Sequence, residues 1–200
     1  LNGSGGHSPI LKCSPGERNL IHQADKYHIQ INRPAVILKK KVMKNLNAIG
    51  LDSKKSALLA GQLNELLANY SIFYQNVRGY HWNIKGEKFF ELHLKFEELY
   101  NDLLLKIDEV AERILTLGHS PQHRYSDYKK VSAIAESSQV SDGLKAVADI
   151  LDSFKVIIGI QRNLLSLSAE TNDEGTNALM SDYIRAQEKL VWMYSAFLKK

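Results

Sequence analysis

At 200 residues, 44% hydrophobic and 24% charged, with a formal net charge of +4, the chain is long enough for one domain with a sizeable core. Nothing in its composition points to a disordered or fibrous protein, no apolar run approaches the roughly 20 residues of a membrane span, and the first residues lack the order of a secretory signal, so a cytoplasmic location is expected. The single cysteine, Cys13, excludes an intrachain disulfide and a cysteine-rich zinc site; any metal ligands must be His, Asp and Glu, a set that suits iron or another ion taking oxygen and nitrogen donors.

Residues 1–42 show no sustained periodicity, hold three of the four prolines and open with LNGSGG, which predicts a flexible N-terminal extension. The first methionine is Met43, and helical patterning starts just after it. Met43 is therefore expected to be the natural start, with residues 1–42 as upstream sequence or an added leader and residues 43–200 as the folded domain. Charge follows the same division. Residues 1–44 carry 8 Lys and Arg against 2 acids, whereas residues 45–200 carry 18 against 20. Attraction to nucleic acid would thus come from the front of the chain, where Lys39, Lys40, Lys41 and Lys44 cluster.

From about Asp52 to Trp82, Leu59, Leu63, Leu66, Tyr70, Phe73 and Val77 recur three or four apart, the spacing of an amphipathic helix, with Asp52 or Ser53 as its N-cap. A second helix is predicted from about Glu87 to Leu117, through Phe89, Leu92, Phe96, Leu99, Leu103, Ile107, Val110 and Ile114, stopping at Gly118. The loop SPQHRYSDYKK has room for a short helix. Leu144, Val147, Leu151, Phe154, Ile158 and Leu165 mark a third long helix from about Ser141 to Ala169. Thr171 with Glu174 suggests a capping box for a fourth, carrying Leu179, Tyr183, Ala186, Leu190, Met193 and Phe197. Four long helices without a strand pattern predict an all-α four-helix bundle.

The second helix holds the chemistry. His93, Glu97, Asp108 and Glu112 fall within an arc of about 100° beside the core stripe, and the face of the first helix ends at His81. Glu91, Glu98, Asp102 and Glu109 fall on another side, as expected of a solvated, salt-bridged surface. Yet His93 and Asp108 lie about 22 Å apart along a helix that rises about 1.5 Å per residue, so no single ion reaches both. The chain holds two half-sites, His81, His93 and Glu97 at one end and Asp108 with Glu112 at the other. An antiparallel two-fold dimer would complete both. The sequence contains no Glu-x-x-His, which argues against a di-iron centre inside one chain. A structural reading, with the carboxylates paired to Arg78 or Arg113 across an interface, stays open.

HWNIKGEKFFELHLKFEELY from His81 to Tyr100 and DEVAERILTLGHSP from Asp108 to Pro121 resemble the Dps proteins, or mini-ferritins, with the ligand intervals of that family. The resemblance implies a ferritin-like bundle assembled as a hollow dodecamer, with ferroxidase sites at the two-fold interfaces. His81, His93 and Glu97 would come from one subunit, Asp108 and Glu112 from its neighbour. Glu97 stands where many members have Asp, and Trp82 matches a tryptophan kept beside the iron. The implied activity is Fe(II) oxidation, preferably by hydrogen peroxide, with ferric mineral stored in the cavity and protection from oxidative damage. Iron entry is implied through acidic three-fold pores near the start of the last helix, where Asp173, Glu174 and Asp182 are candidates and Ala178 replaces a frequent Asp. DNA-binding members use a lysine-bearing tail; the alternative function is therefore non-specific DNA binding and compaction, with a nucleoid-associated location.

Overall fold

The computed structural model describes residues 45–199. The expected extension, Met43 and the lysine cluster of Lys39, Lys40, Lys41 and Lys44 lie outside the described residues. The described chain forms five helices: α1 (Ser53–Asn83), α2 (Phe89–Thr116), α3 (Tyr125–Val131), α4 (Gly143–Glu170) and α5 (Glu174–Phe197). The four long ones make the expected bundle, and α3 is the short helix in the loop between the second and third of them.

Local chemistry sets the helix ends. The Asp52 carboxylate accepts from the backbone N–H groups of Lys54 and Lys55, both at 3.0 Å, and so caps α1 as predicted. α2 ends at the Leu117 C-cap, followed by Gly118 at φ +88°, a left-handed position that favours glycine. At the start of α5 the expectation was off by two residues. The N-cap is Asp173, whose carboxylate accepts from Thr176 N–H at 3.1 Å, while Thr171 closes α4 as its C-cap. Asp outranks Thr as a cap, and Asn172 at φ +55° supplies the turn between the two helices.

The short turns after α1 and after α4 make two antiparallel hairpins. Between them the chain runs the length of the bundle. Lys85 N–H donates to Ser141 O at 3.0 Å, so α4 starts at the end where α2 also starts. A Cβ on Gly143 would lie 2.4 Å from Leu92 Cδ1, so the start of α4 packs closely on the start of α2 and a side chain there would have to displace Leu92. Two α1 asparagines hold the crossover. Asn69 Oδ1 accepts from Ala133 N–H and Ile134 N–H, and Asn76 accepts from Ser137 N–H while donating to Ala135 O at 2.8 Å. Residues 66–73 of α1 are therefore buried on every side, covered by α2, α4, α3 and the crossover. The one-sided periodicity of the sequence understated this.

Leu63, Leu66, Phe73, Phe96, Leu103, Ile114, Ile150 and Phe154 form the core, with Phe73 and Phe154 edge to face at 5.2 Å. Where α1, α4 and α5 meet, the buried polar groups are neutral. The amides of Gln161 and Gln187 donate to the Tyr70 hydroxyl at 2.6 and 2.5 Å. Among the described residues, no helix is long and apolar enough to cross a membrane.

Candidate metal centre

The two histidines of the predicted half-site are brought together by the α1–α2 turn. His81 sits in the last turn of α1 and His93 one turn into α2, and their rings stack with centroids 3.7 Å apart at an interplanar angle of 20°. Each ring is held by the other residue's backbone. His81 Nδ1 lies 2.8 Å from His93 O, and His93 Nδ1 lies 2.8 Å from His81 O. A carbonyl oxygen only accepts, so the hydrogen of both bonds must be on Nδ1. In the neutral imidazole this leaves the Nε2 lone pair available, the tautomer in which histidine binds a metal ion. Packing tightens the arrangement. Phe89 stacks on His93 at 5.0 Å, and Tyr100 meets His81 edge-on at 5.3 Å.

Glu97 lies one turn beyond His93 and is half-buried; Asp108 and Glu112 lie farther along α2 and are exposed. Within one chain these last two do not face inward, because their side of α2 points away from its own bundle. Among the described residues no three His, Cys, Asp or Glu converge to hold an ion. The structure thus joins His81 to His93 and leaves Asp108 and Glu112 at the far end of the helix.

That outward side of α2 is unusual for a solvent face. Phe90, Leu94, Leu104, Leu105 and Leu115 are all exposed, Phe90 at 83% and Leu105 at 65%, and they share a stripe with Glu97, Asp108 and Glu112. Trp82, 57% exposed, extends the apolar surface at the end of α1, with the Arg78 guanidinium 4.7 Å above its ring.

The remaining α2 acids behave largely as a paired surface. Glu91 pairs with Lys88 at 3.6 Å and Glu98 with Lys95 at 2.6 Å, while Asp102 holds Lys106. Glu109 differs, since it accepts the Tyr183 hydroxyl from α5. Burial, together with that carboxylate, pushes the Tyr183 phenol well above its ordinary range.

Of the residues suggested for iron entry, Glu174 and Asp182 are exposed, and Asp182 pairs with Arg185 at 2.9 Å. Asp173 is 2% exposed. Its carboxylate caps α5, accepts the Thr176 hydroxyl at 2.6 Å and pairs with Arg113, whose Nε donates to Thr176 Oγ1 at 2.9 Å. Arg113 is thereby engaged within its own chain.

The sequence reading passed over Phe89 and Tyr100 as site residues. Phe89 precedes His93 by four positions, the interval that places two side chains on one helical face, but the same spacing served equally for core packing.

A family model described as a ferritin-like domain matches residues 60–200. The chain is 57% identical to a Dps protein from Vibrio cholerae whose crystal structure is described as a member of a broad superfamily of ferritin-like diiron-carboxylate proteins, covering 77% of this chain and 97% of that one with a TM-score of 0.76. It is 32% identical to a Dps protein of Bacillus brevis, over 72% of this chain and 97% of that one, with a TM-score of 0.70. It is also 41% identical to a DNA protection during starvation protein of Porphyromonas gingivalis, over 78% of this chain and 99% of that protein.

Proposed function

Because the chain belongs to the Dps family of ferritin-like proteins, we propose that it oxidises Fe(II) at sites shared between two copies, uses hydrogen peroxide as preferred oxidant, and stores the ferric product in a hollow oligomer that protects the cell from oxidative damage. The observation that carries this reading is the reciprocal bonding of His81 and His93. It leaves two imidazole lone pairs ready on a half-site that lacks the carboxylates to finish it.

The missing carboxylates would come from a second copy. An antiparallel pairing of two α2 helices that sets His93 opposite Glu112 also sets Glu97 opposite Asp108 and Phe90 opposite Leu115, because all three pairs share one midpoint, between Asp102 and Leu103. One register therefore serves both ligand pairs and buries the apolar stripe around them. Two complete sites arise per dimer, and the dodecamer of the family resemblance would carry twelve. The site then combines borderline nitrogen donors with hard carboxylate oxygens, a set that suits iron and favours Fe(III) over Fe(II).

Oxidation at a paired site balances without releasing a radical. Two Fe(II) ions each lose one electron, the O–O bond of one peroxide accepts both and breaks, and two protons complete two waters. Glu174 and Asp182, exposed near the start of α5, are the carboxylates left to attract cations on their way in, while Asp173 shapes the helix end beneath them. The bundle of each chain has neutral groups at its centre, Tyr70, Gln161 and Gln187, which fits a metal site located at the interface.

Stopped-flow measurement of peroxide-driven iron oxidation tests the reading. The double variant His81→Ala with Asp108→Ala is expected to abolish the fast phase; an unchanged fast phase would reject the assignment.

A further inference from the structure

A histidine with one hydrogen-bonded nitrogen is fixed only in part. The bond from Nδ1 to a carbonyl sets which nitrogen carries the proton and where that nitrogen lies, but the ring can still tilt about the bond. In His93 the tilt is limited from both sides. One face lies against His81 at 3.7 Å and 20°, the other against Phe89 at 5.0 Å and 23°. The order Phe89, His93, His81 is thus a continuous stack of three rings, closed at the His81 end by the edge of Tyr100 at 5.3 Å. Phe89 is the first residue of α2, and its backbone N–H donates to Gly86 O at 3.0 Å, so the turn that joins the two helices also seats the outer ring of the stack.

We infer that Phe89 is a positioning residue for the histidine pair: its flat face holds His93, and through His93 also His81, in the tilt that presents both Nε2 atoms to metal. The inference rests on the metal-binding reading above and deepens it. Two features argue against plain packing. Phe89 is only half-buried at the rim of the core, and its stacking partner is an imidazole at an angle of 23° where most aromatic pairs among the described residues meet near 80°. The two histidines also hold each other's backbone reciprocally, so any tilt allowed to one ring loosens the anchor of the other. Hydrogen bonds that orient a metal ligand are worth about 10- to 100-fold in metal affinity, and loosening the reciprocal His81–His93 bonds draws on that range.

The test uses the assembled, iron-free protein and Co(II) as a redox-stable probe, followed anaerobically through its visible absorption. Phe89→Leu keeps apolar volume and removes the flat face; Phe89→Tyr keeps the face. The expected result is a roughly 10-fold or greater loss of Co(II) affinity and an altered band shape in Phe89→Leu, near-native titration in Phe89→Tyr, and unchanged helicity and particle size in both. A Phe89→Leu protein that titrates like the parent, with its band shape intact, overturns the inference; so does an equal loss in Phe89→Tyr. The double variant His81→Ala with His93→Ala separates the two levels. If that protein still binds Co(II) like the parent, the metal reading itself fails and the positioning role goes with it.

Discussion

At the scale of single residues, the most consequential group outside the histidine pair is Asp173. Its carboxylate, 2% exposed, does three tasks: it caps α5, accepts the Thr176 hydroxyl and neutralises Arg113 from α2. Removing one partner of a buried ion pair leaves a charge without compensation, which costs about 3–5 kcal/mol, well above the value of an exposed pair. Asp173→Ala is therefore expected to lower the urea midpoint of unfolding by an amount corresponding to about 3–5 kcal/mol, whereas Asp182→Ala, whose pair with Arg185 is exposed, should change it little. Urea titration of the two variants at equal protein concentration checks the contrast. In the sequence Asp173 stood only as a candidate for iron entry near the start of the last helix. Its ion pair spans 60 positions, a separation at which helical periodicity carries no information. The histidine pair was more legible, because the end of one apolar face and the start of the next marked His81 and His93. What spacing could not reveal was their mutual hydrogen bonding, which depends on the exact path of the five-residue turn between α1 and α2.

At the scale of elements, α2 is two helices in one. One side carries Leu92, Phe96, Leu99, Leu103, Val110 and Ile114 into the core; another carries Phe90, Leu94, Leu104, Leu105 and Leu115 outward among the acids. The inner stripe was plain in the sequence. The outer leucines were passed over because their neighbours in sequence are charged, and a single apolar residue on a surface needs no explanation. Lined up along one face, they do. Leu104→Glu is expected to leave the bundle folded, with its helical circular dichroism retained, and to break the proposed assembly into smaller species by placing a charge near the centre of the face proposed to pair with a second copy. Sedimentation velocity would show this, and an intact large particle would count against α2 as the pairing helix. The crossover is a further element that the sequence left open. Its path is fixed by Asn69 and Asn76, and a buried asparagine on a helix gives no sign of which distant loop it holds.

At the scale of the whole molecule, buried tyrosines link stability to pH. Burial raises the phenol pKa of Tyr70, Tyr80, Tyr183 and Tyr194 above the ordinary value of 10.0. Below pH of about 10 the phenols stay protonated whether the chain is folded or not, so they add no pH dependence. Above it the unfolded chain loses protons that the native chain keeps. Stability then falls as pH rises, with a slope of about 1.4 kcal/mol per pH unit for each such tyrosine. A melting temperature that declines steeply between pH 10 and 11, and less so in Tyr70→Phe, is the expected outcome of a thermal scan. The fold class was legible at this scale from helix length and number alone, and the proposal of a second copy came from the length of α2. The neutral centre of the bundle was not, since Tyr70, Gln161 and Gln187 lie on three helices and meet only after folding.

That neutral triad has a consequence for the order of events in the cell. With its centre closed by two amides that bond a phenol, the bundle is expected to fold without any added metal ion, so the helical circular dichroism of chelator-treated protein should match that of the untreated one. On the proposed iron-storage reading, the container would then be manufactured ahead of its cargo.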